Sequence, residues 1–174
     1  MTLKELDGYV QKYIHGNRSC FDVIYYETQT SVYLSIYLII KNKDVIEDLM
    51  QDTYMKVIES INTYKIGTNF KAWISRVARN MAINEYNRRK RVELLEDGTH
   101  YTFNDIISNN CNSKFNDMIK MLDGLEREIV VYHLILNMKF KEIANIIDKP
   151  LSSVFSLYKK ALKKIKEEYV SYED

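Results

Sequence analysis

Residues 70–91 combine an apolar stripe with a face of arginine and asparagine. The apolar residues recur at three- and four-residue steps, which predicts one buried side of an α-helix formed by Trp73, Ile74, Val77, Ala78 and Met81. The polar residues expected off that side are Arg76, Arg79, Asn80, Asn84, Asn87 and Arg88. Arginine neutralises phosphates, and arginine and asparagine both bond base edges, so this face suits a nucleic acid. A solvated amphipathic helix is the competing interpretation of this segment alone.

Residues 140–154 have the spacing of a helix-turn-helix. Ala144 is small where two helices must approach closely, and Asp148, four residues later, tolerates the left-handed backbone of the turn. Pro150 and Ser152 suit the start of the next helix, with Ser152 as its N-cap. That helix carries Lys159, Lys160, Lys163, Lys164 and Lys166. We expect its first turns in a DNA groove and its lysines on phosphates; a basic helix that ends a bundle is the alternative.

Residues 44–61 predict a third helix, whose exposed side is acidic. Asp44 is the expected N-cap, with Glu47 three residues on completing a capping-box pattern. The expected buried stripe consists of Val45, Ile46, Leu49, Tyr54, Val57, Ile58 and Ile61. On the other side fall Asp48, Gln51, Asp52 and Met55. Carboxylates are poorly placed for DNA, so this face needs a different partner or meets solvent alone.

Composition limits the classes of protein that fit. The 174 residues are 46% apolar with a net charge of +1, which indicates a globular chain rather than a disordered one or a polycation. Cations and carboxylates are segregated along the chain, which suggests separate surfaces for separate partners. We expect Cys20 and Cys111 to be reduced structural thiols, and His15, His100 and His133 to be surface or packing residues. No catalytic, metal or cofactor-binding constellation is present in the sequence.

The sequence has no apolar run of the ~18 residues that span a bilayer. Its first ten residues lack the apolar core of a signal peptide. We therefore expect a cytoplasmic protein without membrane insertion.

Helical periodicity, one proline and five glycines indicate an all-α chain of two small helical domains. The first domain is expected at 1–91, with helices over 3–14, 19–40, 44–61 and from 70. Periodicity fails at 92–113, where Asn, Asp, Thr and Ser dominate, which predicts a linker. The second domain is expected at 114–174, with helices near 114–122, 125–136, 140–147 and 151–169.

Taken in order, these segments resemble a bacterial RNA polymerase sigma factor of the sigma-70 family, extracytoplasmic-function type. DLMQDTY at 48–54 resembles the family's D-L-x-Q-E/D-x-F run, and 70–80 resembles its F-x-x-W-L-x-x-I-A-R-N. Residues 142–144 and 154–161 match its helix-turn-helix, and 122–128 is a looser match to the start of the same region. The resemblance implies conserved regions 2 and 4 joined by a linker.

The resemblance also implies partners and roles. The factor would bind the clamp helices of the largest subunit of core RNA polymerase and the flap of the second, and promoter DNA; the family often adds an anti-sigma factor. Core binding would fall to Asp48, Gln51, Asp52 and Met55. Contacts to the −10 element would fall to Lys65, Asn69, Arg76, Asn80, Asn84, Asn87, Arg88 and Arg91. The loop 64–69 would shape a pocket for an unstacked base. Contacts to the −35 element would fall to Ser152, Ser153, Phe155, Ser156, Lys159, Lys160 and Lys163.

The recognition helix departs from the family pattern. Members usually carry Lys or Arg where this chain has Phe155 and Leu157, so bidentate contacts to guanine are missing there. We expect a −35 preference that is weak, A/T-leaning or read through methyl groups and shape.

Besides a sigma factor, two interpretations fit the sequence. One is a sigma-like regulator that binds polymerase without strong −35 reading. The other is a stand-alone helix-turn-helix regulator whose first half senses or dimerises.

Overall fold

The computed structural model describes residues 1–93, 119 and 121–171, and these residues form helices and turns without a strand. The all-α class is confirmed. The chain divides into two compact units, Met1–Gly98 and Thr99–Asp174. Most of the predicted linker lies outside the described residues, and its first two residues belong to the preceding helix. No helix among the described residues is long and apolar enough to cross a membrane.

The first unit contains four α-helices. They are α1 (Leu3–Ile14), α2 (Phe21–Tyr37), α3 (Lys43–Ser60) and α4 (Phe70–Glu93), with short 3-10 turns at Arg18–Cys20 and Ile61–Thr63. The bounds of α1 are as predicted, because Thr2 and Glu5 form a capping box at its start. Helix α2 is shorter than predicted at both ends.

The N-cap of α3 is Asn42, so the prediction of Asp44 is wrong. The Asn42 side chain accepts a hydrogen bond from the Val45 amide at 3.1 Å, from an extended backbone just outside the helix. Asp44 instead lies in the first turn, where its carboxylate is favoured by the positive end of the helix dipole.

Helix α2 is the centre of the first unit and packs against α1, α3 and α4. Each partner helix buries one stripe, represented by Leu6 of α1, Ile46 of α3 and Ile74 of α4. The predicted stripe of α3 is confirmed except at Ile58, which is 40% exposed. Ile58 follows buried Val57 and is therefore turned about 100° away from it.

The second unit contains three α-helices among its described residues: α5 (Gly124–Val130), α6 (Phe140–Ile147) and α7 (Leu151–Ser171). The helix predicted at 125–136 is α5 followed by a π-helical turn, Val131–Ile135. The helix predicted at 114–122 lies largely outside the described residues. Val130, Ile143, Ala144, Val154 and Ala161 are among the buried residues that hold these helices together.

The turn between α6 and α7 has the predicted left-handed residue. Asp148 has φ 53° and ψ 53°, and the Lys149 amide donates to the Ala144 carbonyl at 3.1 Å. The assignment of Ser152 as N-cap is wrong: α7 begins at Leu151, and the Val154 amide donates to the Pro150 carbonyl at 3.2 Å. Ser152 therefore lies in the first turn of α7.

The positive φ at Asp148 predicts a stability effect. A residue with a Cβ in this conformation costs about 1–2 kcal/mol, least for Asp and Asn. We expect Asp148→Gly to leave the free energy of unfolding unchanged or raise it by up to about 1 kcal/mol, and Asp148→Ile to lower it by about 1–2 kcal/mol. Urea denaturation measures both. The control is Asn145→Ile on the exposed side of α6, expected within about 0.5 kcal/mol; equal losses at both positions would contradict the account.

Candidate nucleic-acid and protein interfaces

The acidic face of α3 consists of Asp48, Gln51, Asp52 and Met55. All four side chains are exposed, and Met55 is 63% exposed. Two other carboxylates of this helix have ion-pair partners within it: Glu47 lies 3.8 Å from Lys43, and Glu59 lies 3.2 Å from Lys56. Among the described residues, Asp48 and Asp52 have no such partner. The acidic face thus joins two unneutralised carboxylates to an exposed apolar side chain.

The loop 64–69 before α4 is fixed by a residue of α1. Buried Asp7 accepts hydrogen bonds from the Tyr64 hydroxyl at 2.7 Å and from the Gly67 amide at 2.5 Å. Gly67 has φ +89°, a conformation that a side chain would strain. Burial raises the pKa of the Tyr64 phenol, which keeps it a donor. Asp7 is not among the predicted site residues, although a carboxylate beside Leu6 within a buried stripe is a signal of such a contact.

An aromatic cluster anchors the start of α4. The Trp73 ring lies 5.6 Å from Tyr64 and 5.5 Å from Phe70, measured between centroids. Trp73 is half-buried, less enclosed than the core position predicted for it, while Phe70 is only 1% exposed. Asn69 caps the helix, since its side-chain oxygen accepts from the Ala72 amide at 3.2 Å. This bond occupies the oxygen of a residue assigned to the −10 contact.

The polar face of α4 is largely as expected. Exposed on it are Arg76, Asn80, Asn84, Asn87, Arg88 and Arg91, and Lys65 is exposed in the preceding loop. Arg79 is the exception, because it is only 8% exposed. It shares a buried side of the helix with Ser75 and Ala82, which lie four residues before it and three residues after it.

Glu85 organises the cations at the end of this face. Its carboxylate accepts from Arg88 at 2.7 and 2.8 Å and from Arg89 at 2.6 Å. The hydrogen bonds from Arg88, with those from Arg89, lower the pKa of Glu85 from the ordinary 4.5 to about 2. Arg88 is thus held in one orientation at the surface.

The Glu85 cluster predicts a pH-dependent contribution to stability. A carboxylate whose pKa is lowered on folding stabilises above its unfolded pKa and loses that contribution as pH falls toward its folded pKa. Glu85→Gln should therefore lower the Tm at pH 7, and the difference from the parent should shrink between about pH 4.5 and pH 2. Thermal melts across this range measure it. Glu59→Gln, which removes an exposed pair, should change little; a Glu85 difference that is constant with pH would refute the assignment.

The outward side of α7 carries most of the residues assigned to the −35 contact. Ser152, Phe155, Ser156, Lys159 and Lys163 are exposed, and Ser153 is half-buried. Lys163 lies 3.6 Å from Glu167.

Lys160 belongs instead to an ion cluster that ties α7 to α5. It lies 3.0 Å from Glu126 and 3.5 Å from Asp123, and Lys164 lies 2.7 Å from Glu126. Glu126 is fully buried; burial opposes its charge, but the bonds from Lys164 and Lys160 lower its pKa overall. Asp123 and Glu126 also form the capping box of α5. No sequence pattern predicts this cluster, because its partners are far apart in the chain.

Phe155 packs against a second aromatic cluster. Its ring lies 4.6 Å from that of Phe140, which lies 4.2 Å from His133 and 4.9 Å from Tyr158. His133 also contacts the Met138 carbonyl through Nδ1 at 2.9 Å, so it is a packing histidine, one of the two roles predicted. Phe155 nevertheless stays 42% exposed.

The remaining thiols and histidines form no metal site in the described part of the chain. No group of three or more His, Cys, Asp or Glu residues there could hold a metal ion. Cys20 is a buried free thiol, and Cys111 and His100 lie outside the described residues. His15 contacts the Gln11 carbonyl at the end of α1.

The two units match two models of one protein family, in the order that the sequence resemblance implied. The model of sigma-70 region 2 matches residues 28–92, which include α3 and all but the last residue of α4. The model of sigma-70 region 4 matches residues 113–165, which include the helix-turn-helix. The chain belongs to the sigma-70 family. Its relatives place it in the extracytoplasmic-function (ECF) type.

Three curated relatives are ECF RNA polymerase sigma factors. BldN of Streptomyces coelicolor is 23% identical over 158 residues, which cover 85% of this chain and 60% of BldN. SigX of Bacillus subtilis is 26% identical over 72 residues, 41% of this chain and 37% of SigX. SigM of Bacillus subtilis is 24% identical over 155 residues, 85% of this chain and 94% of SigM. The matched region therefore spans less than two thirds of the first two relatives.

Two solved structures share the fold. Sigma factor RpoE in complex with the anti-sigma factor NepR, from Bartonella quintana, has a TM-score of 0.67 at 20% identity and covers 84% of this chain and 94% of RpoE. CnrH in complex with the cytosolic domain of CnrY has a TM-score of 0.67 at 17% identity, and the match covers 95% of this chain and 97% of CnrH.

Proposed function

We propose that this chain is a sigma factor that binds core RNA polymerase and directs it to promoter DNA, which it helps to open. The observation that carries the proposal is the separation of two unlike surfaces in the first unit. The acidic face of α3 suits a basic protein surface, and the polar face of α4 suits DNA. A stand-alone DNA-binding regulator has no need of the acidic face. Both proposed partners place this work in the cytoplasm.

The acidic face is the proposed docking surface for the clamp helices of the largest polymerase subunit. Asp48 and Asp52 supply charge complementarity, which favours fast and specific association. Gln51 adds hydrogen-bonding groups, and Met55 adds an adaptable apolar contact. The second unit would meet the flap of the second subunit.

The polar face of α4 and the loop 64–69 are the proposed −10 surface. Unstacking a base costs a few kcal/mol, which a pocket and phosphate contacts can offset without ATP. The hydrogen bonds to Asp7 hold the loop in shape before DNA binds, so the loop loses little conformational entropy on binding. Asn80 and Asn84 offer exposed amides for base edges, and Arg76 and Arg91 offer charge for phosphates.

The first turns of α7 are the proposed −35 surface. In a helix-turn-helix these turns enter the major groove, and cations further along reach the backbone. An anti-sigma protein is a further proposed partner, supported by the fold shared with RpoE, whose structure contains one.

Run-off transcription with purified core polymerase tests the proposal. We expect the chain to yield discrete transcripts from genomic fragments, and Asp52→Lys to weaken core binding at least about tenfold. The matched control is Asp22→Lys, which makes the same charge change at an exposed residue of α2. Absence of core binding by the parent chain would refute the proposal. Equal losses in both variants would refute the role of the acidic face.

The ion cluster predicts that neighbouring lysines of α7 behave differently. In the holoenzyme, Lys159→Gln should reduce the slope of log K against log salt for duplex binding by about one. Lys160→Gln should mainly lower the Tm, because it removes a partner of buried Glu126. Salt titrations and thermal melts of both variants distinguish the roles. The assignment fails if Lys160→Gln changes the slope as much as Lys159→Gln does.

A further inference from the structure

We infer that Phe155 reads the 5-methyl group of thymine in the −35 element. The inference rests on the proposed function and names the base that this site selects. Phe155 lies on the outward side of α7, the helix that the proposed function places in the groove.

The position of Phe155 suits contact with a base edge. Its ring is 42% exposed, in the second turn of α7. Ser152, Ser156 and Lys159 around it on the outward side are exposed and polar, and Leu151, one turn before it, is an exposed apolar residue (42%). The apolar ring is thus the bulkiest group that these turns present to a groove.

The ring is also held in place. Phe140 supports it at 4.6 Å, and Phe140 is itself stacked on His133 at an interplanar angle of 25°. A side chain that is ordered before binding loses little conformational entropy when it binds. An aromatic ring with a fixed position can therefore contribute specificity as well as apolar area.

The charges beside Phe155 favour DNA over an apolar protein surface. Lys149 in the turn and Lys159 one turn further along α7 are exposed and have no ion-pair partner among the described residues. Phosphates line both sides of a major groove, so cations on either side of an apolar group match it. Within the groove, thymine alone among the four bases offers a methyl group, and phenylalanine is one of the side chains that contact it.

The test removes the methyl group rather than the protein side chain. Holoenzyme assembled from the full chain and core polymerase is first used to select duplexes from a pool with a randomised promoter region. One selected duplex is then resynthesised with uracil in place of thymine at each upstream position in turn. We expect uracil to weaken binding by the parent about fourfold at one or two adjacent positions, the loss for one buried methyl group.

Variants assign that effect to Phe155. Phe155→Ala should bind thymine and uracil duplexes equally, and Phe155→Arg should select guanine at the same position. The control is Leu162→Ala, which removes a side chain of similar exposure (41%) two turns further along the same row of α7 and should keep the parent's uracil sensitivity. Phe155→Arg retains a long stem over Phe140 and serves if Phe155→Ala does not fold.

The possible failures are distinguishable. Selected duplexes with no uracil-sensitive upstream position, or a sensitivity that Phe155→Ala and Phe155→Arg retain, would overturn the inference and leave the proposed function standing. Loss of core binding in folded Phe155→Ala or Phe155→Arg would also overturn it, since the ring would then dock a protein. A pool from which the parent holoenzyme selects nothing would refute the proposed function.

Discussion

Packing of α3 and α4 on the same central helix decides what the first unit can present to partners. A hydrogen bond of 2.9 Å between Thr28 and Tyr54 joins α2 to α3, and an ion pair of 3.3 Å between Glu27 and Lys71 joins α2 to α4. When the apolar side of α3 or α4 packs against α2, that packing also determines which residues of the helix face outward. The acidic face and the proposed −10 surface are thus consequences of one buried arrangement, and a loss of that packing would disrupt both together.

The predictable part of the structure is the part that local chemistry determines. The bounds of α1 and α6 follow from caps and periodicity, and the left-handed turn follows from the residue type at Asp148. Arg79 and Lys160 could not be placed in the same way. Whether a cation faces solvent depends on the neighbouring helix, and the buried Glu126 that binds Lys160 lies 34 positions earlier in the chain. The cap formed by Asn69 could not be predicted either, since the sequence does not distinguish a side-chain amide that caps a helix from one that is free to bind DNA.

Some side chains of α7 stabilise the second unit, and others form the proposed −35 surface. Lys160 and Lys164 neutralise a fully buried carboxylate, which would be costly without them. Phe155 packs on Phe140, which in turn packs on His133 and Tyr158. Among the described residues, few cations of α7 remain exposed and unpaired beside the exposed ring of Phe155. The −35 reading that we propose therefore depends on apolar shape more than on charge.

We propose that the first unit meets polymerase through α3 while the second unit meets upstream duplex through α7. Photo-crosslinkers placed separately at the positions of Met55 and Phe155 in one holoenzyme–promoter complex test it directly. We expect position 55 to crosslink to the largest polymerase subunit and position 155 to crosslink to duplex DNA upstream of the −10 element. A crosslink from position 55 to DNA, or from position 155 to protein alone, would contradict it.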